Sequence, residues 1–66
     1  MKKKIAVVGC GHWGKNLVRN FADLEVLVAV CDPNAELSQY YAKQYDVKDL
    51  SFAEIIEDVS IEGVVL

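Results

Sequence analysis

Gly9-Cys10-Gly11-His12-Trp13-Gly14 sets three glycines at the spacing G-x-G-x-x-G, and Asp32 follows 23 residues after Gly9 and 18 after Gly14. That combination suits the binding of a dinucleotide. Gly9 permits a sharp exit from a strand, where a side chain would clash. Gly11, with no Cβ, lets the backbone approach a pyrophosphate, and Gly14 lets a helix pack closely on the preceding strand. Amides near His12 and Trp13 would face the phosphates at the positive end of the helix dipole. Asp32 would accept both hydroxyl protons of an adenosine ribose. A 2′-phosphate would meet a like charge there, so NAD is expected over NADP.

Other reactive side chains have plainer roles. His12 is the single histidine; it sits inside the phosphate turn, far in sequence from any base or nucleophile, and its amide is the expected contributor. Trp13 reads as a packing anchor as well as part of the turn. Nothing near Cys10 in sequence would lower its pKa. Tyr40, Tyr41 and Tyr45 read as helix-to-sheet packing with exposed hydroxyl tips. Glu54, Glu57, Asp58 and Glu62 lack metal-ligand spacing and read as a solvated face. No catalytic residue and no metal ligand is assigned.

These residues need elements to position them. Ile5-Ala6-Val7-Val8 is a short β-branched run without alternation, as expected of a strand covered on both faces. Helical spacing follows from about His12 to Asp23, with Trp13, Leu17 and Phe21 on one side beside Val18 and Ala22, and Lys15, Arg19 and Asp23 opposite. Val26 to Cys31 is a second apolar strand, closed by Asp32-Pro33-Asn34. Asn34 is an N-cap for a helix over Ala35 to Tyr45, with Glu36 in its first turn. A very short strand is expected near Val47. Ser51-Phe52-Ala53-Glu54 is a capping-box pattern, and Phe52, Ile55, Ile56 and Val59 would give the following helix one apolar face. Gly63 to Leu66 begins another buried strand.

Strands alternating with helices imply crossovers onto one parallel sheet, an α/β doubly wound (Rossmann) arrangement with the last strand beside the first. The whole chain, residues 1–66, then reads as the N-terminal part of a NAD(P)-binding domain. Its bare apolar strand edge predicts further sheet beyond Leu66 and poor solubility of this segment alone.

Size and charge limit the alternatives. Sixty-six residues cannot hold both a dinucleotide pocket and a separate substrate cavity; a chain of this length buries only about 60% of its unfolded surface. Hydrophobic residues make up 53% and charged residues 26%, the composition of a packed interior. The net charge of −3 divides into +2 over residues 1–33 and −5 over residues 34–66. No sustained basic face is present to bind nucleic acid. The two cysteines, Cys10 and Cys31, are too few for a disulfide framework and read as reduced thiols in a cytoplasmic protein. The apolar stretch after Lys2-Lys3-Lys4 is too short for a signal peptide, and no run reaches membrane-spanning length.

The segment from Ile5 to Phe21, with Val30-Cys31-Asp32-Pro33 and the closing Ile61 to Leu66, resembles the glucose–fructose oxidoreductase / inositol dehydrogenase / rhizopine-catabolism (Gfo/Idh/MocA) family. The stretch from Trp13 to Phe21 looks most like members acting on sugar nucleotides, such as UDP-N-acetylglucosamine 3-dehydrogenases. The resemblance implies an NAD-dependent oxidoreductase acting on a sugar, sugar-nucleotide or polyol held by a further domain, and a homo-oligomer at full length. Gly9, Gly11, His12, Trp13, Gly14 and Asp32 carry over as cofactor contacts. The family's Glu-Lys-Pro motif has no counterpart in these residues, so this segment alone is expected to be inactive. The competing reading is an NAD-binding regulatory or sensor module without chemistry. A methyltransferase is disfavoured because Val7 and Val8 stand where its loop usually carries an acid. A short-chain dehydrogenase is disfavoured because its glycines are spaced G-x-x-x-G-x-G.

Overall fold

Ile5–Val8 forms the strand β1, paired in parallel on both sides. Ala6 and Val7 at its centre are completely or almost completely buried, which explains a run with no polar residue. The computed structural model describes residues 3–11 and 14–65. Across these the order is β1, α1 (Gly14–Asp23), β2 (Leu27–Cys31), α2 (Ala35–Tyr45), β3 (Lys48–Asp49), α3 (Phe52–Glu57) and β4 (Gly63–Val65). The four strands are all parallel and lie in the order β3-β2-β1-β4. This is the expected α/β doubly wound arrangement, consistent with part of a Rossmann-like fold. The chain runs outward from β1 through β2 to β3, then returns across the sheet to β4. That reversal puts a topological switch point between β1 and β4.

The two faces of the sheet carry different helices. Val7, Leu27 and Val30 meet Val18 of α1 and Ala42 of α2 in one core. Ala6 and Ala29 meet Ile55 of α3 in another. The pairing of β1 with β2 slips between Ile5 and Ala6, from Ile5↔Leu27 to Ala6↔Ala29. The extra residue, Val28, lets Leu27 and Val30 share a face although they are three apart.

The helix boundaries follow from local hydrogen bonds. The Asn34 side chain accepts from the Leu37 amide at 3.2 Å and starts α2. The Ser51 hydroxyl accepts from the Glu54 amide at 3.1 Å while Glu54 accepts from the Ser51 amide at 2.8 Å, completing the expected capping box of α3. α1 and α2 end alike. Val26 N–H donates to Phe21 O at 3.0 Å and Glu25 N–H to Ala22 O at 2.9 Å. Val47 N–H donates to Ala42 O at 2.9 Å and Asp46 N–H to Lys43 O at 3.4 Å. Both are Schellman caps, with Glu25 (φ 61°) and Asp46 (φ 54°) in the left-handed position that glycine usually fills.

Four expectations need correction. The apolar face expected of α3 is not buried as a unit: Ile55 is 2% exposed, but Phe52 is 48%, Ile56 63% and Val59 100% exposed. A helix of six residues directs little more than one side chain squarely at the sheet, and Val59 lies beyond its end. β2 starts at Leu27 rather than Val26, because the Val26 amide serves the α1 cap. The last strand, expected to be buried, lies at the sheet edge with Val64 39% exposed, whereas the short third strand falls on Lys48–Asp49 beside Val47 as expected. Tyr40 does not pack toward the sheet; it is 61% exposed, whereas Tyr41 and Tyr45 pack against the α1–α2 core as expected. Among the described residues no helix is long and apolar enough to cross a membrane.

Candidate functional site

The site lies at the carboxyl ends of β1 and β2, beside the switch point. Val8 pairs with Cys31, and the ladder continues one step further as Gly9 N–H donates to Cys31 O at 2.7 Å. Gly9 then turns with φ +90°, a conformation that side chains rarely adopt. The turn leads into α1, where Lys15 N–H donates to Gly11 O at 3.0 Å.

Gly14 begins α1 directly against the turn. A Cβ on Gly14 would stand 1.6 Å from the Gly9 carbonyl oxygen and 2.6 Å from the Gly9 carbonyl carbon. Both obstacles are backbone, so no side chain can swing aside to make room. A Cβ on Gly11, in contrast, would meet nothing within 4 Å. The three glycines therefore divide the work: Gly9 makes the bend, Gly14 allows the approach, and Gly11 faces open space.

Asp32 is brought to the same place. Its Oδ2 accepts the Cys10 amide at 2.7 Å, and its Oδ1 accepts the Asn34 amide at 2.8 Å. The second bond is an Asx turn, which Asp32-Pro33-Asn34 favours locally. The first spans 22 residues and ties the acid to the glycine turn itself. Each carboxylate oxygen keeps a lone pair, so two acceptor positions remain at the rim.

The surroundings of both thiols here disfavour the thiolate. Cys10 is fully buried, and its Sγ lies 3.7 Å from the Cys31 carbonyl oxygen as a weak donor. Burial, followed by the nearby Asp32 charge, pushes the Cys10 thiol up from 9.0 to about 11. Burial and the Asp32 charge also raise Cys31. The two cysteines belong to cores on opposite faces of the sheet. Neither thiol is activated as a nucleophile.

Further along the rim, the buried Ser38 hydroxyl of α2 donates to Asp49 Oδ1 at the end of β3. Sequence reading gave no hint of this pair, since eleven residues and a helix end separate them. The Cys10–Asp32 bond was equally hidden, although the Asx turn beside it was signalled by an aspartate two residues before Asn34.

Gly9, Gly11, Gly14 and Asp32 are thus brought together, while His12 and Trp13 lie outside the described residues. Of the acidic residues expected to be solvated, Glu57 and Glu62 are exposed, Glu54 caps α3 by accepting from the Ser51 amide, and Asp58 accepts from the Ser60 amide at 2.9 Å and from its hydroxyl at 2.6 Å. Those bonds hold both carboxyls below the usual carboxylate range. Among the described residues no three His, Cys, Asp or Glu side chains gather to hold a metal ion. A groove of about 480 Å³ lies elsewhere, at the amino ends of the strands between Lys4, Leu27, Lys48 and Ile61. It contains no residue of the glycine turn. Compared with known proteins, the chain significantly matches no family model and no curated protein.

Proposed function

We propose that the chain is the nucleotide-binding part of an NAD-dependent oxidoreductase acting on a hydroxyl of a sugar, sugar-nucleotide or polyol. The observation that carries this reading is the 2.7 Å bond from the Cys10 amide to Asp32. It makes the glycine turn and the acid one continuous rim, the arrangement that a pyrophosphate and its neighbouring ribose require. The residues fit the group. Gly11 leaves the space that a Cβ would fill, and Asp32 has two acceptor positions left for a diol.

In this reading the turn after β1 holds the diphosphate through main-chain donors, and Asp32 fixes the adenosine ribose. Asp32 also disfavours a 2′-phosphate by charge repulsion. The nicotinamide, when bound, supplies the site for hydride exchange with the substrate carbon. Cys10 stays protonated and contributes its backbone, not its thiol. The Gfo/Idh/MocA resemblance of the turn supports the choice of substrate class and a homo-oligomer, and the two free cysteines support a cytoplasmic setting.

A second reading, an NAD-binding regulatory module, draws on one observation. The thiol of the glycine turn, Cys10, is buried and pushed up to about 11, away from thiolate chemistry. Calorimetric titration of the complete protein with NAD and NADP tests the shared part of both readings. NAD should bind, and NADP should bind at least about tenfold more weakly, the equivalent of roughly 1.4 kcal/mol. Failure of both to bind, or equal binding, overturns the assignment. Oxidation of a polyol or sugar nucleotide with NAD by the complete protein then separates enzyme from sensor.

A further inference from the structure

We propose that Asp32 is the strut of the glycine turn, so that its carboxylate shapes the phosphate-binding loop before any ligand arrives. The second duty of the same carboxylate, meeting a ribose, rests on the dinucleotide reading above; the strut does not.

The argument starts from the ladder. β1 and β2 stay in register through Val8 and Cys31, and one further main-chain bond joins Gly9 to Cys31. In a regular ladder Ile5 and Gly9 donate on the β2 side, and the alternate amide of Cys10 would face away from it. The φ of +90° at Gly9 takes the chain out of the ladder, and the Cys10 amide finds Asp32 Oδ2 at 2.7 Å as its acceptor. Cys10 is itself completely buried, so the side-chain acceptor replaces a bond that water would supply only at the cost of opening the core. The other oxygen is held at 2.8 Å by Asn34 N–H, at the start of α2. A carboxylate clamped between two main-chain donors has one orientation. It couples the β1–α1 turn to the β2–α2 turn and sets the spacing between them.

This differs from a role limited to selecting the coenzyme. If Asp32 only repelled a 2′-phosphate, removing it would leave the turn intact and admit NADP. As a strut, its removal loosens the surface on which either coenzyme would rest. Both affinities then fall, and the preference cannot be switched at this position without a replacement acceptor.

The test compares the complete wild-type protein with its Asp32→Ala and Asp32→Asn variants by amide hydrogen exchange without ligand and by titration with NAD and NADP. In Asp32→Ala the Cys10 amide should exchange about tenfold faster or more, the loss expected of one bond to a charged acceptor. Asp32→Asn keeps one oxygen acceptor and drops the charge. It should restore slow exchange at Cys10 or at Asn34 but not at both, and it should bind NADP better than Asp32→Ala does. It also serves as the folded comparison should the alanine variant fail to fold. Unchanged exchange at Cys10 in Asp32→Ala, or in Asp32→Asn slow exchange at both amides, overturns the strut. So does equal NADP binding by the two variants when the wild type binds NAD. If no dinucleotide binds the wild type, yet Cys10 exchange still rises in the variants, the dinucleotide reading fails and the strut stands.

Discussion

Against one face of the sheet, α1 and α2 close over Val7, Leu27 and Val30, with Val18 and Ala42 buried between them. Against the other, α3 buries Ile55 alone and leaves Phe52 and Ile56 exposed. The first layer is built from helices of ten and eleven residues, the second from a helix of six. Length decides the contrast, since a helix must run several turns before an apolar stripe can cover a strand. The glycine turn is anchored on the well-covered side, because α1 begins at Gly14 and packs through Val18. The thinner side bears no part of the turn. The better-packed layer is the one that seats the turn.

The sharpest way to break this contrast is Gly14→Ala. The added carbon would fall 1.6 Å from a backbone oxygen, so α1 must move away from β1. The loss should reach or exceed the roughly 3 kcal/mol upper range of overpacking, and thermal unfolding should show a lowered or absent transition. A variant as stable as the wild type would mean that α1 is not seated on the turn as described. The next effect sharpens the contrast within α3 itself. Ile55→Ala should cost about 2 kcal/mol, the low end for such truncations because a thin layer can settle into the space. Its neighbour Ile56→Ala should stay within about 0.5 kcal/mol. Urea denaturation of the pair measures both, and similar losses would show that α3 turns a different face to the sheet.

The smallest effect concerns Cys10 on the well-covered side. Folding raises its thiol from 9.0 to about 11, so the folded chain holds that proton more tightly. The associated stability is present below pH 9 and is lost as pH rises toward 11. By pH 10 the loss is on the order of 1 kcal/mol. Denaturation midpoints of wild type and Cys10→Ala, compared between pH 8 and 10, should therefore converge as the solution becomes alkaline. Parallel curves would contradict the burial of this thiol.

Much of this was legible in the sequence, for reasons that differ by region. α2 begins and ends where its pattern places it, because Asn34 caps locally and the stripe of Leu37, Tyr41 and Tyr45 is regular. The α3 capping box was equally readable, being a contact between residues three apart. Gly9 and Gly14 could be read because each answers a steric demand of the chain itself. What escaped was non-local or irregular. Glu25 and Asp46 take left-handed positions that glycine would have announced. The Val28 bulge, the Cys10–Asp32 bond and the Ser38–Asp49 contact join segments whose meeting depends on the finished sheet. The apolar content of α3 predicted burial that so short a helix cannot deliver.

At the margin of the sheet, β3 consists of Lys48 and Asp49 alone, both exposed. A border of two residues bearing opposite charges offers a stray polypeptide almost no template for pairing. That border is thereby closed to ribbon-like stacking, in contrast to the apolar β4 border opposite, and its Asp49 is left to tie α2 to the sheet through Ser38.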